Sequence, residues 1–127
     1  MGTRDVGAFR DAGRTLFSLG MVKGSEGNLS VCDGERLTIT RTGCALSDLG
    51  DADILEGTLD APPVGASSDL DVHLIRYRES GRGAIAHAHP PGTVPEGTPE
   101  SGEHGAYAFS ASLAEAVGLL VEGARDR

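Results

Sequence analysis

Three of the four histidines in this 127-residue chain fall close together, at His87, His89 and His104. In Ile85-Ala86-His87-Ala88-His89 an extended backbone sends residues i and i+2 to the same face, so two imidazoles project together. Two such rings can converge on one metal ion, at about 2.0–2.1 Å per Zn–N bond. His104, followed by Gly105 and a short apolar run, stands where a neighbouring strand would close the site. An isolated His-x-His is better explained by chance or by a core histidine. The third histidine favours the metal. The opposite face of the same strand shows only Ala84, Ala86 and Ala88, which lets a helix pack closely.

A second group of residues suits an anion. Gly24-Ser25-Glu26-Gly27-Asn28 is a glycine-rich loop that offers backbone N–H groups and one amide. Thr42-Gly43 ends a strand, and Ser67-Ser68 precedes a helix, where unpaired N–H groups and the helix dipole favour negative charge. Taken singly, each is a weak signal, since Ser-Ser before a helix is usually a cap and G-x-x-G-N usually a turn.

The elements that must hold these groups are legible in the hydrophobic spacing. Val6, Phe9, Ala12, Leu16 and Leu19 predict an amphipathic helix over residues 4–20, ending at Gly20. Residues 29–32 and 37–40 alternate about Asp33-Gly34, a hairpin signature. Ser47 to Leu55 reads as one or two helical turns, and residues 60–68 as a loop. Residues 69–79 predict a helix capped by Ser68 or Asp69. Gly83–His89 predicts a strand, the proline- and glycine-rich stretch 90–103 a loop, and Ala106–Phe109 a short strand. Ser112 to about Arg125 predicts a helix with Ser112 and Glu115 as a capping box and basic residues at its end. No repeat or internal boundary is visible, so the reading is one compact domain over residues 1–127.

Composition narrows the partners. Eleven Lys and Arg stand against 19 Asp and Glu, a formal net charge of -8. That balance repels polyphosphate backbones and anionic membranes, so neither nucleic acid nor membrane is expected as a partner. A small phosphorylated ligand remains compatible, because local N–H groups and hydroxyls can bind it. No stretch reaches the ~18 apolar residues of a membrane span. The first residues lack the pattern of a signal peptide, and Cys32 and Cys44 are the only cysteines. The expectation is a cytoplasmic chain with reduced thiols. A Cys32–Cys44 disulfide stays open.

In order along the chain, these pieces resemble the class II aldolase/adducin family, typified by fuculose phosphate aldolase and ribulose phosphate 4-epimerase. Residues 24–31, GSEGNLSV, resemble the family's G-x-x-G-N-x-S-V loop, and residues 37–43, LTITRTG, its strand ending in Ser/Thr-Gly. Ser67-Ser68-Asp69, with His73 and Tyr77 beyond, resembles its S-S-(E/D)-x-x-x-H-x-x-x-Y segment. Residues 83–90 resemble its His-x-His strand, and His104-Gly105 with Ala114-Glu115-Ala116 its last motif. The resemblance covers residues 4–126. It implies an α/β fold, a three-layer α/β/α sandwich around a central, largely antiparallel sheet, assembled as a homo-oligomer, typically a tetramer. It also implies Zn2+, or another divalent metal that an imidazole site accepts, on His87, His89 and His104. By the same carry-over, Asn28, Thr42, Gly43, Ser67 and Ser68 bind a substrate phosphate, and Asp69 is the catalytic carboxylate.

The activity implied is cleavage of a ketose 1-phosphate to dihydroxyacetone phosphate and an aldehyde through a metal-stabilised enediolate. Its alternatives are a phosphosugar 4-epimerase or dehydratase, or a non-catalytic adducin-like zinc-binding or interaction domain. Asp69 stands where the aldolases carry Glu and the 4-epimerase Asp, which favours the epimerase among these alternatives. Arg41 replaces the family's proline, either adding a cation to the phosphate site or lying solvated at the surface. The segment between His89 and His104 is much shorter than the family's. Tyr107 has no catalytic counterpart and reads as core packing, and His73 as a structural hydrogen bond within the helix packing.

Overall fold

The structure, a computed structural model, describes residues 5–89 and 106–125. Helix α1, Val6–Ser18, buries Phe9, Ala12 and Leu16, spaced to form one stripe. Asp5 caps it by accepting from the Ala8 N–H at 3.0 Å. Gly13 lies on the same buried side, and a Cβ there would stand 2.1 Å from the Leu46 carbonyl oxygen. Only glycine lets the helix come this close.

The expected hairpin forms between β1, Asn28–Asp33, and β2, Arg36–Thr40, with Cys32 opposite Leu37. The Ser47–Leu55 stretch departs from expectation. It holds two single 3-10 turns, Leu46–Asp48 and Asp51–Asp53, and then a strand, β3, Ile54–Thr58. This strand pairs with β2 at the sheet edge and buries only Ile54 fully. One buried residue in five leaves too little alternation to announce a strand.

Helix α2, Leu70–Ser80, strand β4, Arg82–Ala88, strand β5, Ala106–Ser110, and helix α3, Leu113–Arg125, complete the described fold. The sheet order is β3-β2-β1-β4-β5, with every neighbouring pair antiparallel. Ser112 accepts from the Glu115 N–H at 3.2 Å as expected of a cap. The Glu115 carboxylate accepts from the Ser110 hydroxyl at 2.9 Å. Asp69 stands at the N-cap of α2, yet its side chain makes no capping bond. Its carboxylate is turned elsewhere.

The three layers follow from the alternation of the strands. Ala84, Ala86 and Ala88 of β4 join Leu29, Leu16 and Leu120 in the core beneath α1 and α3. Ile85 points the other way, into a core with Leu37, Ile39, Leu74 and Tyr77 beneath α2. Full burial of a side chain such as Leu16 or Leu37 contributes about 1.5–3 kcal/mol. Cys44 belongs to the first core and Cys32 to the second, and both are free thiols. The disulfide left open by the sequence does not form. Among the described residues no helix is long and apolar enough to cross a membrane.

Candidate functional site

Strand β4 delivers the imidazoles. With Ala86 and Ala88 turned into the α1/α3 core, His87 faces the α2 side and is buried, 3% exposed. His89 follows just past the strand end, and its ring centroid lies 5.1 Å from that of His87. The His89 N–H donates to the Met21 carbonyl at 2.7 Å, tying this end of β4 to the segment after α1. Gly27 sits against the same strand end, with φ +82° and an added Cβ only 2.7 Å from the His87 carbonyl oxygen. The glycine-rich loop therefore seats on β4 by backbone contact.

Register brings in the next residue. Asn28 is the direct partner of His87 across β1 and β4. Its Nδ2 donates to Asp69 Oδ2 at 2.8 Å, and its Oδ1 lies 2.6 Å from His73 Nε2. Asp69 Oδ2 also lies 2.7 Å from His87 Nδ1. Burial alone would push the Asp69 carboxyl up. The Asn28 hydrogen bond, the charge of His87 and hydrogen bonds from Tyr107 and His87 outweigh it, so the group sits below the usual carboxylate range.

Backbone bonds bring the anion-binding segments together. The Thr42 N–H donates to the Gly65 carbonyl at 2.8 Å, and the Ser67 N–H to the Thr40 carbonyl at 3.0 Å. Arg41 and Ala66 form an isolated antiparallel bridge between them. Thr42-Gly43 and Ser67-Ser68 thus lie side by side at the end of β2. Asn28, Thr42, Gly43, Ser67, Ser68, Asp69, His87 and His89 all line one cavity of about 360 Å³. That volume lies within the ordinary range of small-molecule sites. Arg41 lines it too, but its guanidinium is held by Asp53, with Nε 3.1 Å from Oδ1.

His104 lies outside the described residues, so its expected role meets no geometry. Among the described residues no three His, Cys, Asp or Glu side chains are grouped to hold a metal ion. The chemistry of the donor set nonetheless fits one. Two imidazoles and a carboxylate share the cavity, and the carboxylate on His87 Nδ1 fixes the ring as an Nε2 donor, the usual support of a metal-ligating histidine.

One residue departs from its expected role. Tyr107 is not core packing. It is 37% exposed, stacks on His87 with centroids 4.0 Å apart and planes 8° apart, and hydrogen-bonds Asp69. It is the register partner of His87 on β5, a pairing that sequence spacing alone does not fix. His73 has the structural role expected of it: fully buried, it hydrogen-bonds from α2 to residues of β1. Its Nδ1 lies 2.5 Å from Ser30 Oγ, which lies 2.7 Å from the Tyr77 hydroxyl.

A central antiparallel sheet between helix layers, with Asn, Thr-Gly, Ser-Ser-Asp and His-x-His converging at one end, defines the class of protein. The chain belongs to the class II aldolase and adducin N-terminal domain family, whose model matches residues 8–95. It is 38% identical over 85 residues to 5-methylthioribulose-1-phosphate/5-deoxyribulose-1-phosphate aldolase of Rhodospirillum rubrum, covering 64% of this chain and 38% of that protein. It is 34% identical over 87 residues to methylthioribulose-1-phosphate dehydratase of a Bradyrhizobium species, covering 66% of this chain and 40% of that protein. Across the curated relatives it covers between 15% and 44% of their length. Among solved structures, it is similar to L-fuculose-1-phosphate aldolase of Thermus thermophilus. The TM-score is 0.80 at 27% identity, over 94% of this chain and 89% of that one.

Proposed function

We propose that the chain is a metal-dependent class II aldolase domain acting on a ketose 1-phosphate, releasing dihydroxyacetone phosphate and an aldehyde. The observation that carries this reading is the convergence of Asn28, Thr42, Gly43, Ser67, Ser68, Asp69, His87 and His89 on one cavity. His87 and His89, with His104, would hold the metal, Zn2+ or another divalent ion. When bound, such an ion supplies Lewis-acid stabilisation of the negative charge that develops beside the substrate carbonyl.

The chain's own residues do the rest. The Ser67 and Ser68 hydroxyls, with Thr42 and Gly43, grip the phosphate and fix the position of the sugar carbons. Asn28 contributes its amide from β1. Asp69 holds His87 through Nδ1 and stands in the cavity as a carboxylate able to take or return a proton. In this reading residues 1–127 are a single class II aldolase/adducin-like domain, assembled as a homo-oligomer.

A second reading, phosphosugar epimerisation or dehydration, is favoured by the Asp69 environment. Asn28, His87 and Tyr107 all donate to that carboxylate, which suits a group that orients His87 more than one that shuttles a proton. The similarity to a methylthioribulose-1-phosphate dehydratase supports the same reading.

The test has two stages. Protein purified without added metal is analysed for divalent ions beside His87→Ala, with one ion per chain expected in the parent and loss in the variant. Ketose 1-phosphates are then offered and dihydroxyacetone phosphate is measured. Metal with product release supports the aldolase. Metal with epimerised or dehydrated product supports the second reading, and absence of both returns the chain to a non-catalytic interaction domain.

A further inference from the structure

The Asn28 amide stands between a carboxylate and a histidine, and its two ends are chemically different. Only its NH2 end can serve the ionised Asp69, which lies 2.8 Å from Nδ2. Oδ1 must then face His73 Nε2, 2.6 Å away, and an amide oxygen only accepts. His73 is therefore protonated on Nε2. Burial pushes its pKa down to about 4, so the ring is neutral and Nδ1 is bare. Ser30, 2.5 Å from Nδ1, must donate its one hydroxyl proton there. It has none left for Tyr77, so the Tyr77 hydroxyl donates to Ser30 across 2.7 Å.

Every bond in the chain thus runs one way, from Tyr77 through Ser30, His73 and Asn28 to Asp69. The His87 Nδ1–H aims at the same Oδ2, which is why it lies only 3.2 Å from Asn28 Nδ2, one donor beside another. Ser30 and His73 are fully buried and Asn28 is 4% exposed, so water offers no substitute partners.

We infer that His73 is a positioning residue: its Nε2–H, with Nδ1 held by Ser30, anchors the Asn28 amide oxygen and so locks the orientation that Asp69 selects at the other end of the amide. A flipped amide would turn its oxygen to the Asp69 carboxylate and leave two donors facing each other at His73. The functional consequence rests on the proposed phosphate-site role of Asn28, but the orientation itself does not.

The experiment uses the full chain, labelled with 15N, in the parent, His73→Gln and His73→Leu forms. Gln places an N–H near the position of Nε2, whereas Leu removes it. Imidazole 15N spectra of the parent are expected to show His73 protonated on Nε2 and bare on Nδ1. The Asn28 side-chain amide is expected as a resolved, slowly exchanging pair that persists in His73→Gln and collapses in His73→Leu. Inorganic phosphate is the binding probe, with affinity falling about tenfold in His73→Leu and restored within about threefold in His73→Gln.

An Nδ1-protonated His73 overturns the inference. So does an Asn28 amide signal unchanged in His73→Leu, or lost equally in His73→Gln. If the Leu variant does not fold, the parent tautomer and the Gln variant still decide. A parent that binds neither phosphate nor metal defeats the proposed function, while the amide and tautomer signals still decide this inference.

Discussion

The burial of His73 has a measurable cost in acid. Desolvation pushes its imidazole from 6.5 down to about 4, against an opposing pull from the Asp69 charge and with a small addition from His87. Between those two values the unfolded chain binds a proton that the native ring refuses. Unfolding then gains about 1.36 kcal/mol per pH unit from this one group. The stabilisation is fully present above pH 6.5 and is lost as pH falls toward 4. Over the whole window it amounts to about 3 kcal/mol, and between pH 7 and pH 5 to about 2 kcal/mol. A loss of that size is a large fraction of the stability of a small domain. Urea unfolding of the parent and His73→Gln at both pH values isolates it, since the other titrating groups are common to both chains. The parent should lose about 2 kcal/mol more than the variant on going from pH 7 to pH 5. Equal losses, within about 0.5 kcal/mol, would refute a neutral buried His73.

Other perturbations have distinct expected outcomes. Gly27→Ala forces a side chain into a φ of +82° and against the His87 carbonyl. It should cost more than ~1 kcal/mol in urea unfolding and weaken metal binding with it. Tyr107→Phe keeps the ring stacked on His87 but removes the hydrogen bond to Asp69. A stability loss of about 1 kcal/mol is expected by the same measurement. Arg41→Ala breaks a partly exposed pair with Asp53 and should change stability by under about 1 kcal/mol, while phosphate affinity measured calorimetrically stays within threefold or so. Leu16→Ala, in the core beneath α1, should cost about 2–5 kcal/mol in the same unfolding assay.

Periodicity makes most of this fold legible. The alternation in β4 separates Ala84, Ala86 and Ala88 from His87 in the sequence itself, and the two cores honour that division. Strand β3 is hidden because it lies at an edge and buries a single residue fully. In the site, Asn28, Thr42, Gly43, Ser67, Ser68, Asp69, His87 and His89 stand out by type and order, and the cavity gathers all of them. Tyr107 and the partners of His73 do not. Both depend on which residues face each other across strands and helices, and that register is set by tertiary packing rather than by local spacing. His104 has a strong sequence signal and lies outside the described residues.

The polarity of the strands has a practical consequence. Asn28 opens β1, Thr42-Gly43 follows the end of β2, and His87 lies near the end of β4. Because neighbouring strands run in opposite directions, these all gather at one end of the sheet. The hairpin that joins β1 to β2 turns at the other end, about 17 Å away along roughly five residues of extended chain. A fluorophore, surface tether or peptide insertion at Gly34-Glu35, where Glu35 is exposed, would report on or immobilise the protein from the end opposite the cavity. The antiparallel sheet thus provides an attachment point that leaves the cavity untouched.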